Sequence, residues 1–223
     1  MKKISLVMLL LTLLCTACAL EYHSQLHKPV YYLKAHVIEI KPDKKTPDND
    51  QIQINFFGLT STISSKWFDN KREQNAALAY QLQDKLRFLI SYDQMGKMGC
   101  DKPTDDNERD FCGAFESPQE YYDKIWTLTA DDLEKPQYAG RGNYMVVQQK
   151  EMWFANPDVT AVYKYRGNNF VAYRRDFKSS GGSKAMKSEL IIFHQKTAPD
   201  AIGIGTLVDN NDELFEQLLS TIE

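Results

Sequence analysis

The chain has 223 residues, with 27 Lys and Arg against 30 Asp and Glu, for a net charge of −3 at neutral pH. That mild acidity argues against the basic face that nucleic-acid binding requires, and 12% aromatic residues exclude a disordered chain. At this length a single domain with a sizeable core is expected.

The first element in chain order is a leader. Lys2 and Lys3 precede an apolar run over 4–14, interrupted only by Ser5 and Thr12, and small residues follow it. A basic start, a short apolar stretch and small residues form a secretory signal. The 12 residues of 4–15 rise too little to cross a bilayer core of ~30 Å as a helix. No later stretch approaches the ~18 consecutive apolar residues of a membrane span.

Thr16-Ala17-Cys18 resembles the lipobox of bacterial lipoproteins, with Cys15 standing where Leu is usual and Leu14 one position earlier. The resemblance implies removal of 1–17 and lipid chains, palmitate among them, on Cys18. Ala19 follows the cysteine instead of an inner-membrane-retaining aspartate, which implies the outer membrane with the domain facing the periplasm. Ala17-Cys18-Ala19 also reads as an ordinary A-x-A cleavage site, which would release a soluble protein beginning at Leu20. Cleavage before Cys18 leaves 206 residues with a net charge of −5. Residues 18–29 are then the lipidated cysteine and a polar tether, and 30–223 a single periplasmic domain.

Within the domain, 30–41 reads as a strand ended by the turn-rich "KPDKKTPDND". In 51–57, Ile52, Ile54 and Phe56 alternate with Gln51, Gln53 and Asn55, the pattern of a half-buried strand, and a hairpin with the first strand is expected. Asp69 or Asn70 then opens a helix to about 92, on the spacing of Leu78, Leu82, Leu86 and Leu89. Ser117-Pro118-Gln119-Glu120 is a capping box that starts a short helix with Tyr121, Tyr122, Ile125 and Trp126. Strands follow at 144–154, 159–165, 169–177, 189–196 and 201–208, with "ANPD" and "RGNN" as turns between the first three. A helix from about 210 places Leu214, Phe215, Leu218, Leu219 and Ile222 on one face. Runs of strands with separate helices predict an α+β fold, a mainly antiparallel sheet with helices packed on one face.

Four cysteines are present, and leader processing accounts for Cys15 and Cys18. Cys100 and Cys112 are expected to form a disulfide in an oxidising compartment, constraining the unfolded chain by about 3 kcal/mol. Their loop holds Asp105, Asp106, Glu108 and Asp110, with Phe111 inside and Phe115 just after it. The calcium-loop frame fails there, since Phe111 and Ser117 occupy the positions that need Gly and Glu. Acids for steering beside aromatics for anchoring make these six residues the candidate contact with a protein partner.

No metal site or cofactor is expected. His23 and His27 lie in the tether, His36 and His194 in strands, and no H-E-x-x-H occurs. "GIGTLV" at 203–208 lacks the third glycine of a dinucleotide fingerprint. "KSSGGSKAMK" at 178–187, with Arg174 and Arg175 nearby, reads as a strand connection before it reads as an anion site. No G-x-S-x-G or S-x-x-K frame supports an enzyme.

The expectation is a non-enzymatic lipoprotein that binds an envelope protein. In size, anchor and class it resembles small periplasmic lipoproteins that protect bacteria from toxins injected by neighbours, an analogy of build rather than of motif. A small-ligand or lipid-binding module on the sheet around Gly203 and Gly205 is the alternative, and an envelope hydrolase the third reading. The intact mass of the membrane-extracted protein should place acyl chains on Cys18. A soluble product starting at Leu20 would show the other cleavage.

Overall fold

The computed structural model describes residues 36–42, 50–74, 77–93, 113–127, 150, 158–178, 186–208 and 211–223. The strands are β1 (His36–Glu39), β2 (Gln51–Phe56), β3 (Leu59–Ser64), β4 (Asn70–Gln74), β5 (Ala77–Leu82), β6 (Lys85–Asp93), β7 (Val159–Arg166), β8 (Phe170–Phe177), β9 (Ser188–His194) and β10 (Ala201–Thr206). Two helices accompany them, α1 (Pro118–Thr127) and α2 (Asp212–Thr221). Eight strands form one sheet in the order β1-β7-β8-β9-β10-β6-β5-β4, and β2 and β3 form a separate hairpin. Every pairing in the large sheet is antiparallel except β1 with β7, so the sheet is mixed.

The expected helix over 70–92 is instead the meander β4–β5–β6. Its true apolar face is Leu78, Tyr80, Phe88 and Ile90, two alternating pairs on neighbouring strands, all buried. The leucine spacing that mimics a helix is drawn from two strands on either side of a two-residue turn, and of the four only Leu78 lies in that buried set. In that turn Gln83 and Asp84 have φ of 51° and 60°, the primed geometry whose twist suits a hairpin. Tyr80 and Phe88 then stack at 4.4 Å, and Phe68 meets both edge-on. The outer strand β4 carries exposed Lys71, Arg72 and Glu73, charges that discourage a further strand from pairing there.

The expected hairpin of the first two strands is also absent. β2 turns through Phe57 and Gly58, at φ 48° and 82°, and pairs with β3. β1 instead lies beside β7, with His36 opposite Tyr163. The strand expected at 144–154 lies mostly outside the described residues, and its one described position, Lys150, is helical. The strands expected near 159, 169, 189 and 201, the capped helix at 118 and the last helix are found within one to three residues of their expected ends.

The helices occupy opposite faces of the sheet, not one. Leu214, Phe215, Leu218 and Leu219 of α2 join a core with Ala172, Leu190, Ile192, Ile202 and Ile204, which the β2–β3 hairpin completes through Ile54, Phe56, Leu59 and Ile63. Tyr122 and Trp126 of α1 pack with Val162, Tyr173, Ile191, Phe193 and Ala201. Those two sets alternate along the same strands, and alternate side chains of a strand point to opposite faces. Burial on both sides explains why β9 and β10 read as nearly continuous apolar runs, as doubly covered strands do.

α2 also ties the hairpin down by polar contacts. Ser61 Oγ donates to the Leu218 carbonyl at 2.9 Å, and the Thr62 amide donates to Thr221 Oγ1 at 2.9 Å. The Ser64 amide and Trp67 Nε1 both donate to Gln217 Oε1, at 3.0 and 3.3 Å.

Replacing Gln83-Asp84 by Asn-Gly should raise stability by about 1 kcal/mol, since these residues accept φ > 0 at lower cost. Denaturant melts of the two proteins measure this. A helix through the same positions would instead be weakened by the glycine.

Candidate functional site

Charged side chains are heavily committed in this fold. On the α2 face, the Arg174 side chain is 5% exposed and makes a two-pronged contact with Asp176, at 2.6 and 2.8 Å. The same guanidinium reaches Asp212 in the first turn of α2 and donates to the Tyr165 hydroxyl at 3.2 Å. It also lies over the Tyr163 and Phe215 rings at 4.8 and 4.9 Å. Burial by itself would lower its pKa, but the Asp176 and Asp212 contacts outweigh that and hold it above its ordinary value. Asn211, just before α2, donates to Ser188 Oγ at 2.9 Å, Thr206 Oγ1 at 2.7 Å and the Val208 carbonyl at 3.2 Å, pinning the helix start to β9 and β10.

On the α1 face, Asp123 receives the Lys164 ammonium and, at 2.7 Å, the Tyr173 hydroxyl. Burial and Asp123 together push the Tyr173 phenol far up, so it stays a hydrogen-bond donor. Arg175 pairs with Glu189 across β8 and β9. Arg174 and Arg175 therefore serve internal carboxylates, which removes them as helpers for an anion at the 178–187 connection.

One concavity among the described residues is a cleft of about 240 Å³ at one end of the sheet. Three elements build it. The turn between β7 and β8 contributes Asn168 and Asn169, both exposed, above the buried Phe170. Gly167 is required in this turn because the Phe170 ring lies where any β-carbon would be, with ring atoms 2.1 Å from that position. The connection from β9 to β10 contributes Gln195, Pro199 and Asp200, and is knitted by amide bonds from Thr197 and Ala198 to the His194 carbonyl at 3.0 and 3.1 Å. The start of α1 contributes Ser117 and Gln119.

Ser117, His194 and Asp200 thus line one cleft, and these are the three residue types of a nucleophilic relay. Their hydrogen bonds are not those of a relay. Ser117 Oγ accepts the Glu120 amide at 3.2 Å, the capping bond expected from the sequence, while Glu120 returns to the Glu116 amide at 2.8 Å. Asp200 Oδ2 accepts the Tyr92 hydroxyl at 2.7 Å. His194 Nδ1 accepts the Lys196 amide at 3.1 Å, so it cannot donate to a carboxylate as a relay imidazole does. The neutral ring then carries its proton on Nε2, which is buried without a hydrogen-bond partner.

Of the residues expected to carry the lipid, the disulfide or the partner contact, Phe115 alone is described. It is half-buried, with its ring edge-on to Tyr121 at 5.3 Å, two positions before Ser117. Cys18, Cys100, Cys112, Asp105, Asp106, Glu108, Asp110 and Phe111 lie outside the described residues. Gly203 and Gly205, offered as the floor of a ligand site, sit in the middle of the sheet; Gly203 is buried and Met186 Cε closes to 3.0 Å of the β-carbon position of Gly205. No three His, Cys, Asp or Glu side chains among the described residues are grouped to hold a metal, and no described helix is long and apolar enough to cross a membrane. The cleft itself was missed. Its visible trace was "RGNN", read only as a turn.

No protein-family model matches the chain, and no curated protein or solved structure is significantly similar to it.

Burial, with the nearby Lys196 charge, holds the His194 imidazole below its ordinary pKa of 6.5. The unfolded chain therefore takes up this proton at higher pH than the folded one. The stability it contributes is present above pH 6.5 and is lost as the pH falls below it. Denaturant melts between pH 7 and 5 should show His194→Gln with a shallower loss of stability than the parent, the slope and not the absolute value being the readout.

Proposed function

We propose that this is an outer-membrane lipoprotein, anchored through Cys18 and facing the periplasm, whose domain holds an envelope protein instead of transforming a substrate. The observation that carries the reading is the engagement of the reactive side chains. Ser117, His194 and Asp200 share a cleft, yet each is bonded to a different scaffold group and none to another of the three. The charged residues around Arg174 and Asp123 are likewise bound to one another, as fixtures of the fold. Such an arrangement suits a rigid binding body. Protection against an injected envelope toxin fits this build as one form of it.

Residues 94–112, which include Cys100, Cys112 and the acids, lie outside the described residues, between β6 and α1 in the chain. Their flanks are near the cleft: Tyr92 bonds Asp200, and Ser117 lines the cleft wall.

Crosslinking capture with the anchored protein, followed by kinetics on the recovered partner, tests this. Asp105→Ala with Asp106→Ala should slow association and weaken its salt dependence, whereas Phe111→Ala should speed dissociation. Unchanged kinetics in both folded variants would move the contact elsewhere, and turnover of any envelope substrate would end the non-enzymatic reading.

A further inference from the structure

We propose that the cleft beside α1 binds one uncharged sugar ring of a glycan, a ligand site additional to the protein contact. The inference rests on the binding reading above and names a ligand for it.

Size sets the first limit. A cleft of about 240 Å³, open on one side, has room for one sugar ring. Charge sets the second. Among the described residues no Lys or Arg lines the cleft to offer a phosphate or carboxylate a counter-charge, and the one described lining acid, Asp200, already accepts the Tyr92 hydroxyl. What the walls offer is neutral and paired. Asn168, Asn169, Gln119 and Gln195 bring four primary amides, each both donor and acceptor, around a floor of Phe170 and Phe193. Adjacent hydroxyls on a sugar present the same donor-and-acceptor pairing, and its C–H face suits an apolar floor.

The backbone that carries these amides is also held in advance. The β7–β8 turn is closed by the Gly167 amide bonding the Phe170 carbonyl at 3.0 Å, and the Gln195 amide bonds the Asn169 carbonyl at 2.9 Å, which locks the two loops together. Thr197 Oγ1, bonded at 3.2 Å to the carbonyls of both His194 and Asp200, braces the far side. Binding then has to order the exposed side chains but not the loops that carry them.

The test uses the full lipidated protein in a zwitterionic detergent, since sugar-headed detergents would compete. Tri-N-acetylchitotriose and maltotriose are the probes, followed by saturation-transfer NMR and calorimetry. At least one should bind with a dissociation constant of about 1 mM or tighter. The double change Asn168→Ala with Asn169→Ala should weaken it at least about tenfold, as loss of two hydrogen-bonding groups would. Asn169→Trp, an exposed turn substitution that fills the opening, should abolish binding while leaving the melt unchanged. Absence of binding by both probes overturns the proposal, and so does binding that both variants leave intact. Failure here with a protein partner still captured leaves the binding-protein reading standing. Cleavage of a bound oligosaccharide does the reverse, supporting the sugar site and overturning the non-enzymatic reading.

Discussion

The guanidinium of Arg174 is the contact on which the second layer of this protein depends. A buried cation is costly unless its donors are met, and breaking such a pair typically costs ~3–5 kcal/mol. Here the donors are met by Asp176 on its own strand, the Tyr165 hydroxyl on β7 and Asp212 on α2. The last of these is directional, because an aspartate in the first turn of a helix also meets the positive end of its dipole. Arg174 thereby fixes where α2 begins on the sheet. From that start, Gln217 and Thr221 fall where they receive the amides of Ser64 and Thr62 on the hairpin. Removing Arg174 would therefore loosen more than one ion pair: the seat of α2 and the cover of the main core would go together.

The opposite face follows different physics. Its core is mostly aromatic, with Tyr173 within 5.2–6.1 Å of Tyr122, Trp126 and Phe193 by ring centres. Asp123 anchors α1 there through Lys164 and Tyr173. Each helix is thus set by one carboxylate placed against a cation rooted in the sheet. That shared device gives two layers with independent seats around one sheet.

What could be read in the amino-acid sequence varies with the range of the interactions involved. The strands at 159, 170, 188 and 201 carry their signals locally, in β-branched runs bounded by turn residues, and α1 announces itself by Ser117-Pro118 with Glu120. The meander did not, because Leu78, Leu82, Leu86 and Leu89 satisfy a helical period by coincidence. Distinguishing the two needed the positive φ of Gln83 and Asp84, residues with no strong turn preference. The pairing of β1 with β7 and the division of α1 and α2 between faces are long-range choices that no local pattern encodes. The cleft is hardest of all to foresee: Asn168, Gln195 and Ser117 are ordinary loop and cap residues until the fold brings three connections to one corner.

The pairing pattern also bears on order of synthesis. His36 in β1 faces Tyr163, 127 positions later, and Asp93 in β6 faces Ala201, 108 positions later. In a chain that emerges with its amino end first, β4–β6 can close on themselves early, as can β7–β10 when their turn comes. Neither meander gains its full neighbours until β6 meets β10, and β1 waits with both edges bare until β7 is through. A nascent molecule therefore spends most of its emergence with exposed strand edges, the condition in which polypeptides most readily join the wrong partner. Loop closure over such distances is slow relative to local pairing. The same long-range pairings that complete the finished sheet are the last to become possible as the chain is delivered.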